Sequence, residues 1–554
     1  MVSSADEVSY TSGMKWEILK KEKAENSRQI IKTLLKNRGI KTEREEKEFF
    51  HPTDPGKIKL KELEISDESV KKAITRIKRA KKNKEFVVVY GDYDADGITA
   101  TAIMWEALHS FGLDVLPHIP DRFEEGYGIN AKSVNNLKLR IKNLKLIVTV
   151  DNGIVAYEGI RKAKELGIDV IIVDHHQKGE ERNHAFSIVH STLVCGSALT
   201  WFFVKELSRV QDLPTAGLEL AAIGTIADQM PLIGPNRSIV KYGLEELNYT
   251  KRPGLIALFK EAGIENVGVY EVGYMIAPRI NAMGRLKQGI ESLRLLCTKN
   301  KLKAFEIAKN IGGTNSERQK IVEEVLILAR KSVTSQKIIV IAGENYHEGV
   351  IGLAAGRLVE EFYRPAIVFS TKGEISKASA RSISGFNIIE AIRSVSLHLE
   401  GGGHPMAAGF SIETVKIEKF TKEINKLADK LLTDELLQKK LRIDMELDFR
   451  EINIGLIEQL KQFEPSGLGN PGATFVTRGV EIIGAKSVGR EARHLKLKLK
   501  QGEHIFDSIY FGGGEIYPEL TSGLKLNLVY SPEKNVWMGN ESIQLKIKDI
   551  EITS

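Results

Sequence analysis

Phe86-Val87-Val88-Val89-Tyr90-Gly91-Asp92-Tyr93-Asp94-Ala95-Asp96-Gly97 joins a continuous apolar, β-branched run to a short acidic turn. The run is what a strand buried on both faces requires. Two more such runs follow, at Leu146-Ile147-Val148-Thr149-Val150 and Val170-Ile171-Ile172-Val173. Helical stretches separate them, from Thr99 to Phe111 and from Tyr157 to Leu166. Strand alternating with helix predicts an α/β unit with a parallel sheet and right-handed crossovers.

Each run ends in polar residues of one chemistry. Asp92, Asp94 and Asp96 follow the first, Asp151-Asn152-Gly153 the second and Asp174-His175-His176 the third. In a parallel sheet all three emerge at the carboxyl edge, where open α/β folds bind ligands. A fourth segment, Gly224-Thr225-Ile226-Ala227-Asp228, comes after a helix-like run. Carboxylates mixed with imidazoles suit Mn²⁺ or Mg²⁺ better than a structural zinc. So many anions at one edge repel each other unless cations are present, and the set is large enough for two ions with a shared carboxylate. An EF-hand is excluded for Asp92–Gly97. That loop needs an acid at its twelfth position, which is Ile103, and a strand precedes the motif where a helix is required.

The chain has 554 residues, too many for one ordinary core. With 42% hydrophobic and 28% charged residues it is a folded, globular chain. The formal net charge of +7 is compatible with a polyanionic ligand. Two isolated cysteines, Cys195 and Cys297, exclude a disulfide framework and a zinc knuckle. The first twenty residues carry Asp6, Glu7 and Glu17 and no apolar segment, so no leader is expected; nor is a membrane span, and the expected compartment is the cytoplasm.

The organisation expected is a charged helical region over 1–80, the α/β unit over 81–300 and a helical connector over 301–336, which Gly312-Gly313 interrupts. A second α/β unit spans 337–432. From 441 to 554 the pattern alternates with period two, as in His494-Leu495-Lys496-Leu497-Lys498-Leu499-Lys500, and predicts a small β-barrel.

The four acidic and histidine segments resemble those of the DHH phosphoesterase superfamily, and within it the RecJ-type single-strand-specific exonucleases, over nearly the whole chain. The resemblance implies that Asp94 serves a first metal, that Asp96, His175 and Asp228 serve a second, and that Asp151 bridges them. It implies that His176 contacts the scissile phosphate, and that Asp92 orients its neighbours. Ala277-Pro278-Arg279-Ile280-Asn281-Ala282-Met283-Gly284-Arg285 resembles a further motif, in which Arg279 or Arg285 clamps phosphate and Asn281 lies beside the substrate.

The second unit is similar to the DHH-associated domain. Arg381-Ser382 and Gly401-Gly402-Gly403-His404 are its substrate-binding segments, with Ala378 and Ala380 standing where glycines are usual. The tail resembles an OB fold, a single-strand grip with Lys496, Lys498, Lys500, Arg490, Arg493 and Tyr510 as candidates. The resemblance implies 5′→3′ hydrolysis of single-stranded DNA in repair and recombination, with single-strand-binding protein and repair helicases as partners. The alternatives are an oligoribonucleotide or dinucleotide phosphodiesterase of the same superfamily, and a non-catalytic single-strand scaffold. The barrel disfavours the first; the filled ligand positions disfavour the second.

Overall fold

The computed structural model describes residues 8–11, 13–20, 26–210, 215–537 and 539–553. Asp6 and Glu7, on which the reading of the amino terminus leans, lie outside them.

The first α/β unit is a five-stranded sheet in which every adjacent pair is parallel. Its order is Val115–His118, Phe86–Tyr90, Leu144–Val150, Asp169–Asp174, Ser187–His190. In chain order that is 2-1-3-4-5. The order reverses between the first and third strands, and a crevice opens there beyond their carboxyl ends. Asp92 and Asp151 follow those two strands and flank the crevice.

The helices covering this sheet are set by their caps. Asp94 is the N-cap of Ala95–Ser110, accepting from the Gly97 amide at 2.9 Å. Ser66 caps Asp67–Lys82 in the same way. Val70, Ala73 and Ile77 of that helix join the core around Val87, Val89 and Ile98.

The connector is one unbroken helix, Lys301–Lys331. Gly312 does not interrupt it. A Cβ there would collide with the Glu261 carboxylate, so the glycine permits close helix packing. The second unit has a mixed sheet ordered Glu400–His404, Ala407–Glu413, Ile375–Arg381, Ala366–Ser370, Ile339–Gly343. Only its last pair is parallel.

The carboxyl-terminal strands close on themselves. Phe475–Val488 pairs His494–Gln501, which pairs His504–Tyr510, then Asn540–Thr553, then Lys525–Trp537, which returns to Phe475–Val488. This is a five-stranded barrel of the OB type.

The amino-terminal region holds the helices Ser27–Asn37, Glu43–Phe50 and Asp67–Lys82, but it also holds two strands that the helical expectation omits. Lys15–Lys20 is a strand that pairs in parallel with Lys440–Glu446, and Val8–Thr11 pairs with Asn540–Thr553. Ile30, Leu34 and Phe49 enter the barrel's core. Strands that pair with partners more than 400 residues away leave no local signal for turn chemistry or periodicity to reveal. Residues up to about Phe50 therefore belong with the barrel, whereas Asp67–Lys82 belongs with the first sheet.

Candidate metal and phosphate site

The carboxyl edge of the first sheet gathers the acidic segments into one cluster. Three sets of donor atoms lie within 4.8 Å of one another: Asp92, Asp94 and Asp151; Asp96, His175 and Asp228; Asp151, His175 and His176. Asp151 sits at φ +60°, a left-handed turn directly after its strand, with its amide donating to Val173 O at 3.0 Å. Gly196 packs against its carboxylate so closely that no Cβ would fit. Asp96 is fixed by the amino terminus of the helix Gly196–Arg209: the Gly196 and Ser197 amides donate to its two oxygens at 2.7 and 2.9 Å. Gly224 must likewise be glycine, because Ser197 and Asp96 occupy the space of a side chain.

The electrostatics show an excess of anions. Burial pushes Asp151 and Asp92 well above the ordinary carboxylate range, and neighbouring carboxylates push them further. Burial and Asp96 raise Asp94, and the same causes lift Asp228 to about 8. Burial lowers His175, leaving a neutral imidazole. Asp151 Oδ1 is buried without a hydrogen bond, although His175 Nε2 lies 3.2 Å away. An orphaned carboxylate oxygen beside a neutral imidazole, among crowded carboxyls, fits a divalent cation.

His176 behaves in the opposite way. Its Nδ1 is 2.7 Å from Asp174 Oδ1, and Ile154 N donates to Asp174 Oδ2 at 2.9 Å. Burial opposes charge on both partners, but their hydrogen bond prevails. It lowers Asp174 and raises His176 to about 9. His176 Nε2 faces the Tyr127 hydroxyl at 3.3 Å.

Above this floor a cleft of about 970 Å³ separates the two α/β units. Asp92, Asp94, Asn281, Arg285 and Arg381 line it. Asn281 Oδ1 accepts from the Ala95 amide at 2.7 Å, tying its helix to the acidic turn. Arg285 donates to Gly349 O at 3.2 Å, joining the two units. Burial lowers Arg285 to about 10, helped by Arg122, Arg318 and Arg381; burial and Arg122 also lower Arg381. The roof has cations in excess, as the floor has anions.

Other expected residues lie elsewhere. Arg279 is bound to Glu261 at 2.7 Å and to Met275 O at 2.9 Å, and does not line the cleft. Ser382 is buried, donating to Phe386 O at 2.7 Å. Gly402, Gly403 and His404 form the exposed edge strand Glu400–His404; of that strand only Glu400 and Gly401 reach the cleft lining. Ala378 lies on the cleft wall and Ala380 in the core. Arg122, Tyr127 and Ser379 also line the cleft, although no motif marks them. Arg122 stands over the Tyr93 ring, 5.2 Å from its centroid. Its only signal is an arginine ahead of Gly126-Tyr127-Gly128 in an aperiodic loop. Ser379 is two residues from Arg381 on one strand, so period two would have found it.

Three family models match the chain: the DHH family N-terminal domain over 86–225, the DHHA1 domain over 335–430 and the RecJ OB domain over 443–549. The single-stranded-DNA-specific exonuclease RecJ of Bacillus subtilis (strain 168) is 35% identical over 95% of this chain and 68% of its own length. That of Haemophilus influenzae (strain Rd) is 32% identical over 87% of this chain and 90% of its own length. The chain belongs to the RecJ family. Among solved structures, Thermus thermophilus RecJ in complex with Mn²⁺ superposes with a TM-score of 0.81 at 28% identity. The match covers 97% of this chain and 79% of that one. A RecJ complex with Mg²⁺ from the same organism has a TM-score of 0.76 at 26% identity, covering 97% and 78%. The family's shared architecture is therefore the parallel DHH sheet, the DHHA1 unit and the OB barrel seen here.

Proposed function

We propose that this chain is a single-strand-specific exonuclease that hydrolyses DNA phosphodiesters with two divalent cations, Mn²⁺ or Mg²⁺, acting 5′→3′ in DNA repair and recombination. The observation that carries this reading is the pairing of opposite excess charges across one cleft. The crowded carboxyls need cations, and the crowded guanidiniums need an anion. A phosphodiester bound with divalent ions answers both. Two ions are favoured over one because Asp151 belongs both to the set with Asp92 and Asp94 and to a set around His175.

Asp94 with Asp151 would hold one ion, and Asp96, His175 and Asp228, sharing Asp151, the other. The chemistry such ions supply is neutralisation of phosphoryl charge and acidification of water. The remaining tasks fall to the chain itself. Asp174 keeps His176 protonated at neutral pH, so Nε2–H can donate to a non-bridging phosphate oxygen as charge develops there. Arg285, from the first unit, and Arg381, from the second, hold the phosphate, each offering a planar guanidinium. Asn281 and the Asp94 cap keep the acidic turn rigid while this happens.

The barrel supplies a surface for the rest of the strand, with single-strand-binding protein and repair helicases as proposed partners and the cytoplasm as proposed compartment. Among the described residues no helix is long and apolar enough to cross a membrane. End-labelled single strands of DNA and RNA, in both polarities and with each metal, test the reading. Release of nucleotides from the 5′ end of DNA, abolished by EDTA, is expected. Equal activity after complete metal removal would overturn it.

A further inference from the structure

Tyr270 and Tyr274 are 63% and 71% exposed, yet their rings stack on each other, with centroids 5.0 Å apart and planes 27° apart. Stacked tyrosines left in solvent gain little from burial, so folding alone does not account for the pair. Their backbone is also unusual. Glu271–Ile276 is a π-helical turn that runs straight into the helix Ala277–Leu286, which carries Asn281 and Arg285. Such turns cost hydrogen-bond geometry and concentrate at functional sites.

The location is equally specific. Gly273, between the tyrosines, faces Ile226 just before Asp228, with space for a Cβ only 3.7 Å from that side chain. On the barrel side, Gly467 packs against Leu232 and Val269, and the Leu232 amide donates to Leu468 O at 2.7 Å. The tyrosine pair thus stands where the helix ending at Asp228 meets the segment leading into the barrel. This junction therefore links the acidic floor to the barrel, the two surfaces that a bound strand would span.

We infer that Tyr270 and Tyr274 form a stacking platform for a nucleobase of the substrate strand, on the stretch between the metal cluster and the barrel. The inference rests on the exonuclease reading above. Its occupant is a single-stranded nucleic acid base, because an exposed π-face at a strand-spanning junction accepts any base by stacking. The two tyrosines act as positioning residues: they hold the strand in register and do not touch the reacting phosphate.

The experiment measures binding of the full chain to fluorescently labelled single-stranded DNA by anisotropy, with Ca²⁺ in place of Mn²⁺ or Mg²⁺. A series of strands carries one abasic spacer moved stepwise from the 5′ end. For the wild-type chain, one spacer position should weaken binding by about tenfold, within the range that one stacked base contributes. In Tyr270→Ala/Tyr274→Ala the intact strand should bind about tenfold more weakly, and the spacer at that position should cost nothing more. Tyr274→Trp should keep both the affinity and the spacer penalty, which a purely structural role for the phenol would not predict. Undiminished affinity in the double alanine variant, or a spacer penalty that persists in it, overturns the platform. Melting curves of both variants establish that they are folded; should the double alanine variant unfold, Tyr274→Ser gives the same comparison. A wild-type chain that binds no single strand at all would instead refute the exonuclease reading, so the two failures are distinct.

Discussion

The floor and the roof of the cleft are both charged and both at least partly shielded from solvent, yet their imbalance has opposite sign. On the floor, Asp92, Asp94, Asp151 and Asp228 are driven up by burial and by one another. On the roof, Arg285 and Arg381 are driven down by burial and by neighbouring arginines. A structural ion-pair network would have interleaved the two signs, as Arg252 does with Glu106 and Glu219 elsewhere in the first unit. Here Glu348 and Glu400 also line the cleft, Glu400 paired with Lys377 at 3.2 Å, but the aspartates crowd one another and the arginines crowd one another around about 970 Å³ of space. Crowding of like charges is a standing free-energy cost that protons relieve on the floor and a ligand relieves on both sides, and its pattern names the ligand: cations below, an anion above.

The strongest way to break this contrast is at Asp151. Asp151→Asn should reduce nuclease activity by at least about a hundredfold, as loss of a central electrostatic group does. The metal-free protein should melt at the same temperature or higher, because one of several mutually repelling anions is gone. A variant that stays active, or one that melts well below the wild type, would make Asp151 a fold residue.

The roof should respond differently. Arg381→Met should weaken single-strand affinity by about tenfold or more while leaving Mn²⁺ affinity, measured by calorimetry, unchanged. His404→Ala should have a smaller effect, since His404 is exposed on the edge strand and outside the cleft lining. If His404→Ala proved the more damaging of the two in parallel binding titrations, the phosphate grip would lie along the edge strand instead.

The floor also predicts a pH dependence. Asp228 titrates at about 8 in the folded, metal-free chain, against about 3.9 for an unfolded aspartate. A raised folded pKa stabilises fully below the unfolded value, and that contribution is lost as pH rises through the folded one. His176, at about 9 against about 6.5 unfolded, acts in the same direction. Both side chains are about a third exposed and so screened by solvent. The metal-free melting temperature should therefore fall by about one or two degrees between about pH 6 and pH 9, on the scale expected of about one or two kcal/mol in a chain of 554 residues. Added Mn²⁺ should raise it most at the alkaline end, because binding displaces the floor's protons. A metal-free melting temperature that rises across this window in differential scanning fluorimetry would contradict the account.

How far the sequence reveals these two surfaces follows from their backbones. The floor is legible because its residues directly follow β-branched runs, and parallel strands bring such positions to one edge. Arg381 is legible by resemblance, but Ser382 beside it is not a cleft residue: the strand ends at Arg381, and in the turn that follows Ser382 is buried, bonding Phe386 O. Arg122 and Tyr127 come from an aperiodic loop, where no pattern assigns a direction. Arg279 shares a motif with Arg285, yet Glu261, on a helix brought near only by the fold, captures it. The barrel is legible from Leu441 onward by alternation. Its amino-terminal strands are not, because their pairing partners are at the other end of the chain.

The smallest effect expected is on the barrel, and it asks whether the roof's excess of positive charge extends along the strand path. Leu495, Leu497 and Leu499 point into the barrel core, which turns Lys496, Lys498 and Lys500 to its outer face. Lys496 and Lys498 are exposed there, with no acid on their own strand, although Asp507 stands opposite Lys498 on the next one. Two roles fit that position: a solvated face, or an electrostatic grip on passing phosphates. Lys496→Gln/Lys498→Gln separates them, since it removes charge while the leucines keep the barrel's core intact. If the lysines meet phosphates, affinity for a long single strand should drop severalfold at low salt. The slope of log affinity against log salt should then flatten by about 0.7 for each phosphate no longer neutralised. Affinity for a trinucleotide held on the floor alone should not change. If affinity and salt slope for the long strand both match the wild type, the face is only solvated, and the cleft's charge pattern ends where the barrel begins.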